Sequence, residues 1–199
     1  KHIGKLPTSA YFSVLDVAFT TNGVLLNRLE VAMHKCKWVK ISLNAGTAES
    51  YLAIHKAKSG DWDKVWKNIH DAKRWKGECT LGVQCVVLPE NVYDMKNLAA
   101  LCIEASVDYL VLKPYSQATF MLSHRYENTD YAAMRSYLAE VEALSTKTFK
   151  VIYRRNAINE EIGKAHAYDK CRATPNFWVY SMADGRVFTC SAHLLDDNF

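Results

Sequence analysis

Trp38-Val39-Lys40-Ile41-Ser42-Leu43-Asn44-Ala45-Gly46-Thr47 decides the fold of this chain. The apolar, partly β-branched run from Trp38 to Leu43 reads as a strand, and it stops where Asn44-Ala45-Gly46 gathers turn-forming residues. Thr47 then offers a helix cap with Ser50 at the third helical position, and Tyr51, Ile54 and His55 continue it. A strand, a tight turn and a capped helix make one β/α unit.

The same pattern repeats on both sides. Upstream, Val14–Thr20 is a short apolar strand closed by Asn22-Gly23, and Val24–His34 has helical spacing. Downstream, Asp61 can cap a helix whose Trp62, Val65, Trp66, Ile69 and Ala72 share one face, the pattern of core packing. Thr80–Leu88 is a third strand, stopped by Pro89; Asn91 is expected to cap the helix carrying Met95, Leu98, Ala99, Cys102 and Ala105. Val107–Lys113 is a fourth strand, stopped by Pro114. After the polar stretch Ser116–Asn128, a candidate loop over a site, come a helix from about Asp130 to Leu144, a strand over Phe149–Arg154 and a helical stretch over 156–168.

Strands alternating with helices predict an α/β fold: a partial (β/α) TIM-type barrel with parallel strands, followed by a small β-hairpin extension. The expected boundaries are 1–155 for the barrel part and 156–199 for the linker helix and extension. Near-continuous apolar strands predict helices over one face and a filled core on the other. No GxGxxG follows any strand, which removes support for a dinucleotide-binding fold.

The extension is read from Cys171 to Cys190. Short aromatic and β-branched runs flank Ala183-Asp184-Gly185, so the segment predicts a hairpin with a cysteine near each end. Paired thiolates at a hairpin base can hold an iron–sulfur cluster, a zinc ion or a disulfide. His193 gives Cys-x2-His with Cys190 and keeps zinc open. Cys85 and Cys102 sit in apolar runs as core thiols; Cys36 and Cys79 lie near element boundaries and carry no signal.

Composition narrows the classes. The chain has 199 residues and a formal net charge of +4. No apolar run is long enough to span a bilayer, and no signal peptide is evident, so a cytoplasmic location is expected. The cluster Lys73-Arg74-Trp75-Lys76 reads as a solvated helix end, and no nucleic-acid partner is expected. In a parallel β/α fold chemistry sits at the strand carboxyl ends. There Lys113, Tyr115, Arg154 and Arg155 suit an anionic substrate such as a phosphate, a carboxylate or a nucleotide-linked sugar, with surface solvation as the alternative. His124 and Arg125 can join them.

Asp16-Val17-Ala18-Phe19-Thr20-Thr21-Asn22-Gly23, Val39–Thr47 and Asp63–Ile69 resemble the middle of radical S-adenosylmethionine (radical SAM) enzymes. Cys171-x13-Gly185-x4-Cys190 resembles the opening of their SPASM/twitch extension. Asn44-Ala45 stand where the family more often has Asp-Gly or Asp-Ala. The family's Cys-x3-Cys-x2-Cys and its Gly-Gly-Glu-type motif are absent from these residues, so the chain is expected to be an internal piece of a longer protein, inactive by itself.

The resemblance implies a reduced [4Fe–4S] cluster that cleaves S-adenosylmethionine to a 5′-deoxyadenosyl radical, which abstracts hydrogen from an anionic, sugar- or peptide-type substrate. An oxidoreductase- or transferase-type reaction is implied for the full length, fed by an electron donor such as a flavodoxin or ferredoxin. Thr21, Asn22, Ser42, Asn44, Gln84 and the backbone at Leu88 are implied in cofactor binding, and Cys171 and Cys190 as metal ligands of an auxiliary iron–sulfur cluster. A non-catalytic binding module on a degenerate barrel, and a zinc-stabilised domain using Cys171, Cys190 and His193, are the alternatives.

Overall fold

Five short strands carry the architecture: β1 (Ala18–Thr21), β2 (Trp38–Ser42), β3 (Thr80–Val87), β4 (Tyr109–Pro114) and β5 (Lys150–Tyr153). They lie in sequence order, β1-β2-β3-β4-β5, and each neighbouring pair is parallel. The structure, a computed structural model, describes residues 16–116, 123–126, 128–154, 178–180 and 185–188. The helices are α1 (Ala48–His55), α2 (Asp61–Trp75), α3 (Met95–Glu104) and α4 (Tyr131–Glu142).

This strand order has a geometric consequence. Right-handed crossovers between successive adjacent strands all pass over the same side of the sheet. One face is therefore covered by helices. Val39, Ile41, Leu81, Val83, Cys85, Val87, Leu110 and Leu112 point there, none more than 1 % exposed. They meet Val65, Ile69 and Ala72 of α2, Met95, Leu98 and Cys102 of α3, and Leu138 and Val141 of α4 in one apolar cluster. Cys85 and Cys102 are core thiols, as expected, and Cys36 and Cys79 are buried as well.

The opposite face differs from the expected filled core. The alternate residues Lys40, Ser42, Gln84, Val86 and Lys113 are half-buried, and Lys150, Ile152 and Arg154 are exposed. The apolar character of the strands belongs to the helix side. The side that no described helix covers carries most of the sheet's polar residues.

Three local expectations change. Val24–His34 forms two 3₁₀ turns, Leu26–Leu29 and Met33–Lys35, instead of one α-helix. Leu26, Leu29 and Met33 are buried, and spacings of three and four serve a 3₁₀ turn as well as an α-helix. Ala32, at φ −135°, breaks the run between the turns. Asp61 is the first residue of α2, not its cap; the cap position is Gly60, and the Asp61 carboxylate accepts the Lys58 N–H at 3.2 Å. Asn91 does not cap α3, whose cap position is Asp94; it stands at the start of the 3₁₀ turn Val92–Asp94 without a side-chain cap bond, its side chain being engaged elsewhere. The Thr47–Ser50 expectation holds: Thr47 Oγ1 accepts the Ser50 N–H at 3.2 Å and Ser50 Oγ accepts the Thr47 N–H at 3.3 Å, a capping box that starts α1.

The chain divides into two compact units, Lys1–Tyr115 with Thr129–Ile158, and Ser116–Asn128 with Asn159–Phe199. The first holds the parallel sheet. The second contains a hairpin of β6 (Val179–Tyr180) and β7 (Val187–Phe188), antiparallel with Val179 opposite Phe188. The helix expected over 156–168 lies outside the described residues. No helix among the described residues is long and apolar enough to cross a membrane.

Candidate functional site

The carboxyl ends of β2 and β3 are fastened by two asparagines. Asn44 Oδ1 accepts the Val86 N–H at 2.8 Å. Asn91, 0 % exposed, accepts the Leu88 N–H at 2.8 Å and donates its amide to Asn44 O at 2.9 Å and Val86 O at 3.0 Å. Those bonds satisfy main-chain groups that a parallel ladder leaves open where its strands end. The Asn44 N–H in turn donates to His55 Nε2 at 2.9 Å, so α1 is tied to the same junction. Burial lowers the pKa of His55 and keeps the accepting ring neutral. Tyr131, opening α4, extends the fastening: its hydroxyl donates to Val87 O at 2.9 Å and accepts the Tyr115 N–H at 2.7 Å.

On this frame stands the polar face. Ser42 and Gln84 are direct cross-strand partners in the β2/β3 register, both half-buried. The β4/β5 register pairs Leu112 with Tyr153, and the Arg154 N–H donates to Leu112 O at 3.0 Å. The ladder thus runs one residue further and sets Lys113 beside Arg154. Lys40 lies two residues before Ser42 on the same face, with Gly82 opposite. Gly82 is glycine because the Tyr109 ring lies where a Cβ would stand. Burial, and then the charges of Arg154 and Lys113, lower the pKa of Lys40.

The residues singled out from sequence fall into groups. Ser42 and Gln84 come together, and so do Lys113 and Arg154. Thr21 and Asn22 make local turn bonds, Thr21 Oγ1 accepting the Gly23 N–H and Asn22 Oδ1 the Val24 N–H, both at 3.2 Å. Asn44 is held in the β2/β3 junction by its Oδ1, and Leu88 is buried with its N–H taken by Asn91. Tyr115 follows β4 directly. His124 and Arg125 are exposed, and the Arg125 guanidinium lies 5.3 Å from the centre of the Tyr126 ring. Arg155, Cys171, Cys190 and His193 lie outside the described residues. Sequence reading missed Lys40 and the clamping role of Asn91. Lys40 could have been found as the one charged position inside the apolar run Trp38–Leu43.

A metal has no home among the described residues. No group of three or more His, Cys, Asp and Glu side chains converges there. Burial raises the pKa of Cys36, Cys79, Cys85 and Cys102, that of Cys79 to about 11, which favours the neutral thiol in the protein as it stands.

No protein-family model and no curated protein matches the chain. Solved structures do. Streptococcus suis SuiB matches with a TM-score of 0.71 at 17% identity, over 98% of this chain and 48% of that one. SuiB bound to S-adenosylmethionine matches with a TM-score of 0.70 at 18% identity, over 98% of this chain and 47% of that one. TYW1 with a lysine–pyruvate adduct bound matches with a TM-score of 0.54 at 17% identity, over 72% of this chain and 44% of that one. The chain thus spans about half the length of the solved structures it matches. What the likeness shows is the fold, an α/β partial TIM-type barrel with its strands parallel and in sequence order.

Proposed function

We propose that this chain is the cofactor- and substrate-facing part of a radical SAM enzyme. The observation that carries the reading is the helix-free face, where Ser42 and Gln84 stand side by side, half-buried, on a sheet otherwise sealed by helices. Neither side chain has a hydrogen-bond partner within the protein among the described residues. A hydroxyl and a carboxamide held in this way suit a ribose or a methionyl carboxylate, and SuiB, which shares the fold, is solved with S-adenosylmethionine. The cofactor, when bound, supplies the hydrogen-abstracting chemistry; the chain's own groups bind it, orient it and exclude water. Thr21 and Asn22 line the rim at β1, and Asn44 and Leu88 shape the floor through their fastened main chain.

The described residues bring no three cysteine, histidine or acidic side chains together, so they do not fit an iron–sulfur cluster. Cys171 and Cys190 are the proposed ligands of an auxiliary cluster. Lys113, Tyr115, Arg154 and Arg155 are proposed to face the substrate, a small molecule or a peptide carrying negative charge. SuiB is also solved with its precursor peptide SuiA. A flavodoxin or ferredoxin is the proposed electron donor.

Calorimetric titration with S-adenosylmethionine tests the cofactor reading. Ser42→Ala and Gln84→Ala should each weaken binding by roughly five- to tenfold, the loss of one buried hydrogen bond. Wild-type affinity in both variants would defeat it. One observation favours a second reading: Lys113 stands beside Arg154 in the β4/β5 register, which suits a binding module that holds an anion without iron. Metal analysis of the purified chain separates the two, and zinc held by Cys171, Cys190 and His193 would appear in the same measurement.

A further inference from the structure

Some cations of this unit pair with carboxylates, and others, on both sides of the sheet, do not. On the helix side Lys67 and Arg74 pair with Asp71, at 2.5 Å and 2.6 Å, Lys76 pairs with Asp108 at 2.5 Å, and Lys96 pairs with Glu140 at 2.8 Å. On the helix-free face Lys40, Lys113 and Arg154 meet no carboxylate at all among the described residues. The strand positions that share this face from Trp38 to Arg154 include no Asp or Glu.

We propose that Lys40, Lys113 and Arg154 form a receptor for a compact dianion, a phosphoryl group carried by the substrate. The proposal rests on reading this face as the substrate side. Register sets Lys113 beside Arg154, and Lys40 approaches from two strands away, near enough that both charges act on it. Lys113 and Arg154 stand at one level of the sheet, and Lys40, four residues nearer the amino end of the same face, lies within electrostatic reach of both. Left alone they repel, and a half-buried lysine loses solvation as well. One carboxylate would leave most of that repulsion in place. A phosphoryl group carries up to two charges and three acceptor oxygens, enough for two ammonium groups and a guanidinium fork.

Inorganic phosphate, titrated calorimetrically into the full chain at low ionic strength, is the probe, with acetate as the singly charged control. Wild type should bind phosphate at least tenfold more tightly than acetate. Lys40→Gln, Lys113→Gln and Arg154→Gln should each weaken phosphate binding by about tenfold. Lys73→Gln, an exposed change on α2, should leave it unaltered. Thermal melting guards against misfolding: without phosphate, Lys40→Gln should melt no lower than wild type, and phosphate should raise the melting temperature of wild type and Lys73→Gln more than that of Lys40→Gln. Equal phosphate affinity in wild type and Lys40→Gln, an equal loss in Lys73→Gln, or acetate binding as tight as phosphate would each overturn the receptor. The cofactor titration is separate. Intact phosphate binding with S-adenosylmethionine binding absent even in wild type would count against the radical SAM reading alone, and the reverse pattern against the receptor alone.

Discussion

His55 Nε2 accepts a hydrogen bond from the main-chain N–H of Asn44, eleven residues back. Only the unprotonated Nε2 can accept, so a proton arriving there breaks the tie between α1 and the end of β2. Burial has already lowered the folded-state pKa below the ordinary 6.5. The sign follows: this stabilisation is complete above about pH 6.5 and is lost as pH falls through the lowered folded value, because the unfolded chain binds the proton first. Urea unfolding at about pH 7.5 and about pH 5.5 should show wild type losing on the order of 1 kcal/mol more than His55→Gln across that interval. An unchanged slope in the variant would mean that the bond contributes nothing. From sequence His55 read only as the continuation of a helix, since a bond to a strand end needs the turn between them to be folded first. Lys40 was overlooked for a related reason: attention to strand ends passed over a strand middle. Yet alternation along Trp38-Val39-Lys40-Ile41-Ser42 already set it on the side of Ser42.

Between elements, the junction of β2, β3 and the turn before α3 is held by Asn91. The local signal, an asparagine ahead of an apolar helical run, is the same for a cap and for a clamp. What distinguishes them is Asn44, 47 residues earlier, which only the folded sheet brings close. Gly46 belongs to the same junction: the Asp94 backbone occupies the place of a Cβ, so the β2 end can lie against that turn only without a side chain. Asn91→Leu strips partners from a buried N–H and two carbonyls and should cost about 2 to 4 kcal/mol of stability in urea unfolding. It should also speed amide exchange at Val86 and Leu88 more than at Leu110. Uniform exchange across the sheet would argue that the clamp is not local. The capping box at Thr47 and the buried stripe of α2 were legible because both are written within one helix. The 3₁₀ turns before β2 were not, because spacings of three and four fit either helix.

Across the whole parallel unit, the strand-and-helix alternation was enough to predict a parallel sheet, and the barrel-type order follows from its sequential pairing. The polarity of the inner face was hidden by averaging over both sides of each strand; Gln84 and Cys85 are neighbours in sequence and stand on opposite faces. Among the described residues β1 and β5 each have one neighbour, so each has an outer edge that no described strand matches. The purified 199-residue chain is therefore expected to self-associate, with an average mass in sedimentation velocity that rises with concentration. A sharp monomer at every concentration would show that both edges are covered.

That each strand pairs only with the one made just before it bears on how the protein is born. As the ribosome delivers the chain, each described strand of the parallel sheet after the first finds its partner already made. Assembly can keep pace with synthesis, one β/α step at a time.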